Sequence, residues 1–427
     1  MRVLLTAFAQ DSHLNGIVPM AWALRTAGHE VRVASQPAAV ESITRAGLTA
    51  VPVGDDHRLD DVIRSVGEGM LAHHLDRDYL EMRPEALSLD YLRASNAILT
   101  ATFYSQINNA TMVDGLVDYA RFWRPDLVLW EPFTFAGAVA AKAVGAAHAR
   151  LLSFPDLFSH VHLTLRRRQA ALTEQLRDDP LEEWLACTLD HYGRAFDPDV
   201  VTGQWSIDQM PRGVRLELGL PTVPMRYIPH NGPAPAVVPE WLREPPTRPR
   251  VCLTLGLTVR DTEFPNAIDL GELLDSIADL DAEVVATLGA RELEQVPKVP
   301  DNTRVVEHLA LHALLPSCSA IVHHGGAGTW ATAAAQGVPQ VALGWMWDAI
   351  YRARRLEEIG AGLHLHSEDL TVQTLRDKLL RVLQESSFRS GARRLRRAVL
   401  AAPSPNEVVP AVERLTARHR AAHATGR

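Results

Sequence analysis

Residues 323–337, HHGGAGTWATAAAQG, decide how this chain folds and where its chemistry sits. The apolar run SAIV (319–322) leads into two histidines and a glycine-rich turn. The turn opens directly into TWATAAAQ (329–336), a helix-forming run that Gly337 is placed to end. Strand, glycine turn and helix N-terminus together form a ready phosphate site. First-turn N–H groups lack internal partners, and the helix dipole adds partial positive charge. Glycines let the backbone approach closely, and a histidine at the strand end can donate one further hydrogen bond. The pattern predicts a diphosphate site late in the chain.

Two ligand readings compete for that site. Gly326, Gly328 and Ala331 satisfy the dinucleotide fingerprint G-x-G-x-x-G/A, with Asp348 about 20 residues on as the ribose-binding acid. That pattern would make the chain an oxidoreductase binding NAD(P). A dinucleotide fingerprint, however, belongs in the first strand-to-helix turn of its domain, and RPRVCLTLGL (248–257) already reads as an earlier strand. A tight turn with no ligand is a third reading, against which the paired histidines weigh.

Composition sets the outer bounds. The 427 residues suggest two or three domains, and 47% hydrophobic with 22% charged residues is ordinary for a soluble globular protein. A net charge of −8 gives no global pull toward nucleic acid or anionic membrane. Only three of the 43 basic residues are lysine (Lys142, Lys298, Lys378). Cys187, Cys252 and Cys318 are far apart and match no zinc or redox spacing, which fits a reducing cytoplasm. The start, MRVLLTAFAQDSH, reads as a first strand and not as a signal peptide. No run approaches the roughly 18 apolar residues of a membrane span.

The first half opens as a βαβ unit: VLLTAF (3–8), GIVPMAWALRTAG (16–28) and EVRVAS (30–35). Further on, PDLVLW (125–130), GAVAAKAVG (137–145) and HARLLSF (148–154) repeat the strand–helix–strand pattern. Residues 57–122 and 160–200 read as helical. Seven prolines between 229 and 250 exclude helix or central strand, so 229–248 is read as a linker. VCLTLGL, EVVATLG, TRVVEHL, SAIVHH and PQVALGW then predict a second alternating set, and residues 405–420 read as one amphipathic helix. Alternation of this kind implies parallel sheets covered on both faces. The predicted fold class is α/β: two Rossmann-like, doubly wound domains facing each other across a cleft. The boundaries are 1–228 for the N-terminal domain, 229–248 for the linker and 249–402 for the C-terminal domain. A C-terminal helix, 403–427, is expected to pack back on the N-terminal domain.

Several segments together resemble the GT-B glycosyltransferases of family 1, specifically the actinobacterial enzymes that attach deoxysugars to polyketides. They are SHLNGIVPMAWALRTAGHEV, WRPDLVLWEPFTFAGAVAA, GQWSIDQMP, MRYIPHNGPAPAVVPEWL, HALLPSCSAIVHHGGAGTWATAAAQGVPQ and APSPNEVVPAVERL. Within that family the chain is most similar to the anthracycline aminosugar and macrolide desosaminyl transferases. The resemblance implies inverting transfer of a deoxyaminosugar from a dTDP-sugar, a co-substrate, to a hydroxyl of a polyketide aglycone. An anthracycline is favoured over a macrolide. It implies no cofactor, and a partner resembling a cytochrome monooxygenase that has lost its heme. Two alternatives are a nucleotide-sugar epimerase on the same fold and a non-catalytic sugar-nucleotide or aglycone-binding protein.

Site residues follow from position and from the resemblance. His13 lies just after the first strand, and the family's catalytic base lies at this place in SH-x(5)-P. Imidazole suits a general base at neutral pH. Glu131 ends the PDLVLW strand, where related transferases place the acid that pairs with this histidine. A capped strand-end acid is the equal alternative. For the donor, the resemblance implies contacts from Thr258, Leu309, His324, Gly326, Gly328 and Thr329. Adjacent strand residues face opposite sides, so His323 is placed to point into the sheet. Asp348 matches the acid that contacts donor-sugar hydroxyls in many relatives. The glutamine that usually follows is Ala349 here, and the usual upstream proline is Gly344. Both departures fit a sugar with fewer hydroxyls. Trp130, Phe133 and Phe135 are candidate walls of the acceptor pocket, with core packing as the commoner role of such residues. No His/Asp/Glu spacing suggests a metal.

Overall fold

The computed structural model describes residues 1–66, 87–230, 232, 237–255, 270–294, 296, 298–344 and 347–424. Strand β1 (Arg2–Thr6) leads into helix α1 (Asp11–Thr26), then β2 (Glu30–Ser35) and β3 (Ala50–Pro52). Helices α2 (Leu89–Leu99) and α3 (Ala110–Trp123) precede β4 (Leu127–Trp130), α4 (Phe135–Val144) and β5 (Ala147–Leu152). Helices α5 (Leu157–Gln169) and α6 (Pro180–His191) precede β6 (Ser206–Asp208) and β7 (Thr222–Pro224). These seven strands form one parallel sheet in the order β3-β2-β1-β4-β5-β6-β7.

The second half repeats the plan. Strands β8 (Arg250–Thr254), β9 (Glu283–Thr287), β10 (Thr303–Val306), β11 (Ala320–His323), β12 (Gln340–Ala342) and β13 (Gly362–His364) form a parallel sheet ordered β10-β9-β8-β11-β12-β13. Helix α7 (Ala327–Gln336) follows β11, and α8 (Trp347–Ile359) follows β12. The strand order reverses between β1 and β4 in one sheet and between β8 and β11 in the other. Crossover helices leave toward opposite faces at such a point, so a crevice opens at the carboxyl ends of the two strands.

Side-chain alternation divides the first core into two layers. Leu4, Val128 and Trp130 pack on one face with the apolar side of α4, while Val3, Leu5, Leu127 and Leu129 pack on the other with α1. Gly137 lets α4 lie directly on the sheet. A Cβ there would sit 2.4 Å from Thr6 Oγ1 and 2.7 Å from Trp130 Cβ. The last helix, α9 (Pro405–Ala424), places Val408, Val409 and Val412 in the α1 layer, and Arg420 pairs with Asp126 beside β4.

Three sequence expectations change. Helix α1 begins at Asp11, five residues before the expected start at Gly16, which puts His13 inside its first turn. Gln10, its N-cap residue, makes no side-chain cap, so the usual start signal is missing. Strands β3, β6, β7 and β13, three residues each, were not expected. They exist through register with a longer neighbour rather than through apolar periodicity of their own. The predicted linker runs without regular structure among its described residues, apart from a 3-10 turn at Glu240–Leu242.

The halves meet at side chains drawn from both. Tyr227 Oη donates to Gly328 O at 3.2 Å and lies 3.1 Å from Thr332 Oγ1, and Tyr351 Oη donates to Val214 O at 3.0 Å.

Candidate active site

His13 and Glu131 flank the reversal point of the first sheet. His13 stands in the first turn of α1, the helix that follows β1, and Glu131 immediately beyond β4. His13 Nδ1 and Glu131 Oε1 are 2.8 Å apart. The His13 side chain is 20% exposed and that of Glu131 only 1%. The second carboxylate oxygen accepts from Phe133 N–H at 3.1 Å and from the Thr134 hydroxyl at 3.3 Å. A buried carboxylate held by three donors fixes the proton on His13 Nδ1. That leaves Nε2 as the acceptor nitrogen, the geometry of an oriented general base.

An aromatic cluster surrounds this imidazole. Its ring lies 4.5 Å from Phe8, 5.4 Å from Phe133 and 6.1 Å from Phe154, measured between centroids. Phe158 meets Phe133 edge-on at 4.8 Å. Of the three expected walls, only Phe133 belongs here. Trp130 is 0% exposed, packs beneath α4 and donates its indole N–H to His148 Nδ1 at 3.3 Å. Phe135 turns into the same layer, edge-on to Tyr104 and Trp184. Both are corrected to core residues: on β4 the alternation that directs Val128 inward directs Trp130 inward as well. Sequence reasoning missed Phe8, Phe154 and Phe158, whose only signal is that each follows the carboxyl end of a strand on this edge. It also missed Trp347, which the second half contributes. The Trp347 ring lies 6.5 Å from Phe133 and 5.9 Å from Phe158.

The glycine loop lies at the equivalent point of the second sheet, after β11 and beside β8. Gly325 is left-handed (φ +98°), and Gly326 caps α7 without a side chain, leaving the first-turn N–H groups uncapped by protein. A Cβ on Gly326 would come within 2.5 Å of His324 Nε2, so the imidazole of His324 lies across the loop. His323 points the other way, fully buried. It takes the Gly325 N–H on Nδ1 at 3.1 Å, and its Nε2 lies 2.9 Å from Gln340 Oε1. Burial, reinforced by the neighbouring His324, pushes its pKa down to about 3, so it stays neutral. Gly328 and Thr329 occupy the first turn of α7 and reach the surface. Ala327 packs against the cluster that contains Phe133, which brings the loop to the edge of the aromatic cluster around His13.

The remaining donor-side residues divide. The Leu309 side chain is in the core with Cys252, Ile321 and Ala333, leaving only its main chain for a ligand. Asp348 heads α8, where its Oδ2 takes both Nε and Nη2 of Arg352 at 2.7 Å. Thr258 lies outside the described residues. Ala349 packs toward Gly325, whose added Cβ would lie 3.0 Å from it, so this position supports the loop.

Among the described residues, one group could share a metal ion: His162, Asp179 and Glu182, with ligand atoms within 4.8 Å of one another. The sequence spacing gave no hint of it. The two ring nitrogens face different carboxylates, Nδ1 toward Asp179 at 3.4 Å and Nε2 toward Glu182 at 3.6 Å, and Arg166 approaches Glu182 at 3.1 Å. Burial lowers the His162 pKa, which keeps its ring neutral, so the ion pair of this cluster between α5 and α6 is Arg166 with Glu182.

The geometry agrees with comparison to known proteins. Family models for the N-terminal and C-terminal domains of erythromycin biosynthesis protein CIII-like proteins match residues 22–256 and 271–415. The chain belongs to the erythromycin biosynthesis protein CIII-like family of glycosyltransferases. Among family relatives, TDP-daunosamine transferase DnrS of Streptomyces peucetius is 59% identical over 99% of this chain and 98% of its own length. Aklavinone 7-beta-L-rhodosaminyltransferase of Streptomyces galilaeus is 57% identical over 99% and 97%. The crystal structure of glycosyltransferase VinC in complex with dTDP superposes with a TM-score of 0.87 at 42% identity, covering 98% of this chain and all of that one. The chain is therefore a sugar transferase with two Rossmann-like domains of the GT-B type. The oxidoreductase reading falls: the glycine loop follows the fourth strand of its sheet in chain order, and the named family members are transferases. Among the described residues no helix is long and apolar enough to cross a membrane.

Proposed function

We propose that this chain moves a deoxyaminosugar from a dTDP-sugar to a hydroxyl of a polyketide aglycone, with an anthracycline favoured over a macrolide. The observation that carries the reading is the His13–Glu131 pair set in an aromatic cluster whose far edge is set by the glycine loop and Trp347. The two relatives named for daunosamine and rhodosamine transfer, both above 55% identity, favour an aminosugar and an anthracycline. The dTDP held by VinC favours that nucleotide.

In this reading residues 1–228 hold the acceptor, 229–248 link the halves, 249–402 hold the nucleotide sugar and 403–427 tie the end of the chain to the first half. The acceptor hydroxyl lies at His13 Nε2. Its oxygen attacks the anomeric carbon from the side opposite the diphosphate, and its proton passes to Nε2. The C–O bond to the diphosphate breaks with its electron pair leaving on dTDP. Glu131 stabilises the imidazolium that forms. His324 and the first-turn N–H groups at Gly326, Gly328 and Thr329 offset the charge that develops on the leaving oxygen. Thr258, the Leu309 main chain and Asp348 complete the donor site. No metal is required in this scheme. The resemblance adds a helper partner, a heme-less relative of cytochrome monooxygenases.

Mass spectrometry of reactions pairing a dTDP-deoxyaminosugar with anthracycline and macrolide aglycones, with and without such a helper, tests the reading. A product heavier by one sugar residue, absent with His13→Ala, is expected. Nucleotide release without acceptor would instead indicate an epimerase or hydrolase.

A further inference from the structure

Trp347 combines three features found together at no other described residue. Its backbone sits at φ +43°, one of two left-handed non-glycine residues among the described residues. That conformation strains an indole-bearing residue and persists only where its surroundings hold it. Its indole N–H is buried and has no hydrogen-bond partner among the described residues. Its ring leaves its own half and enters the first half, edge-on to Phe103 at 5.2 Å, Phe158 at 5.9 Å and Phe133 at 6.5 Å.

The first two features cost stability, and the aromatic packing of the third explains neither. A phenylalanine would fill the same aromatic contacts without stranding a donor, because an unmet buried N–H destabilises and a ring C–H does not. The position is also telling. Trp347 is the first residue of α8, directly before Asp348 on the donor side. Its ring contacts Phe133, which itself contacts the His13 imidazole. A group placed there sees the acceptor while it is held by the donor half.

We propose that Trp347 is a specificity-determining residue for the acceptor: its ring forms the apolar wall opposite His13, and its indole N–H donates to an oxygen of the bound aglycone. The inference rests on the sugar-transfer reading for the identity of the acceptor. An acceptor that matches both features is a fused-ring, oxygen-bearing polyketide, flat enough to lie against an aromatic wall and carrying a carbonyl or hydroxyl at its edge.

Trp347→Phe is the decisive variant, since it keeps a ring and removes only the donor. Acceptor affinity is measured by calorimetry with an anthracycline aglycone and by acceptor KM, and dTDP affinity is measured beside them. Loss of one buried hydrogen bond predicts about a tenfold weaker acceptor affinity and a matching rise in acceptor KM, with dTDP affinity unchanged. Retained dTDP binding also reports that the variant is folded. Unchanged acceptor affinity, or a loss confined to dTDP, overturns the inference. Failure of the wild-type protein to transfer sugar would count against the functional reading alone, because equilibrium acceptor binding still judges Trp347.

Discussion

Replacing Glu131 by glutamine exchanges one carboxylate oxygen for an NH2 group at nearly constant volume, and the surroundings decide which way the amide turns. Oε2 of Glu131 accepts from the Phe133 N–H and the Thr134 hydroxyl, while Oε1 lies 2.8 Å from His13 Nδ1. If the glutamine NH2 took the Oε2 position, it would point at a fixed backbone N–H, leaving two donors face to face in a buried site. An unmet buried group costs about 1–3 kcal/mol. The amide oxygen therefore takes the Oε2 position, and the NH2 turns toward His13. There it can only donate, so His13 must carry its proton on Nε2 and accept on Nδ1. The reactive nitrogen is then already protonated and cannot take a proton from the acceptor.

The packing of the site survives this change, because every hydrogen bond retains a donor and an acceptor. The expected outcome is a kcat lower by about 10²–10⁴-fold, the range of general-base catalysis. Thermal stability and dTDP affinity should stay close to wild type. Initial-rate assays by chromatographic separation of the glycosylated product, run beside dTDP calorimetry, give both numbers. A kcat within about threefold of wild type would refute the assignment of Glu131 as the partner that sets the tautomer. It would leave that residue as a capped strand-end acid.

Three further outcomes follow from the same geometry. Gly326→Ala places a Cβ 2.5 Å from His324 Nε2 and must displace the imidazole from the loop, so dTDP affinity should fall by about tenfold or more in calorimetry while aglycone affinity holds. Asp348→Asn leaves Arg352, 2% exposed, without its carboxylate, and should lower stability by about 3 kcal/mol in denaturant titration. The glycoside product should carry the anomeric configuration opposite to that of the donor, read by proton coupling constants in NMR, and retention would exclude direct attack by the His13-activated hydroxyl.

Much of this architecture is legible because it is written in apolar runs. The inner strands β1, β2, β4, β5, β8, β9, β11 and β12 each sit within a predicted run, since a strand buried on both faces must be almost continuously hydrophobic, and the edge strand β10 sits within the run TRVVEHL. The four strands that escaped notice are three residues long, and β3 and β7 end in proline. No period can be read from so few positions. The glycine loop was legible for a different reason: Gly325 needs a positive φ and Gly326 needs room beneath His324, so both positions exclude other side chains. The opposed directions of His323 and His324 followed from strand alternation. The same rule, applied to β4, sends Trp130 to the core with Val128. Aromatic character drew it toward the pocket instead.

What stayed illegible depends on chain segments meeting in space, within the first half for Phe8, Phe154 and Phe158 and between the halves for Trp347. His13 and Glu131 are 118 residues apart but follow adjacent strands of one sheet, β1 and β4, so two strand ends at one reversal point suffice to bring them together. Trp347 reaches Phe103, Phe133 and Phe158 from the other sheet, and no periodicity within either half encodes that approach. The plan is one topology used twice. Each copy opens a crevice where its strand order reverses, and a crevice of this kind can orient a side chain or cradle an anion but not both at the same atoms. Proton removal and leaving-group stabilisation must act on opposite sides of one carbon in a direct displacement. Two opposed crevices can supply both demands without either being compromised, and in the proposed function His13 and Glu131 serve one and the α7 N-terminus the other. The residue that carries strain and an unmet donor then lies where it should, on the seam between them.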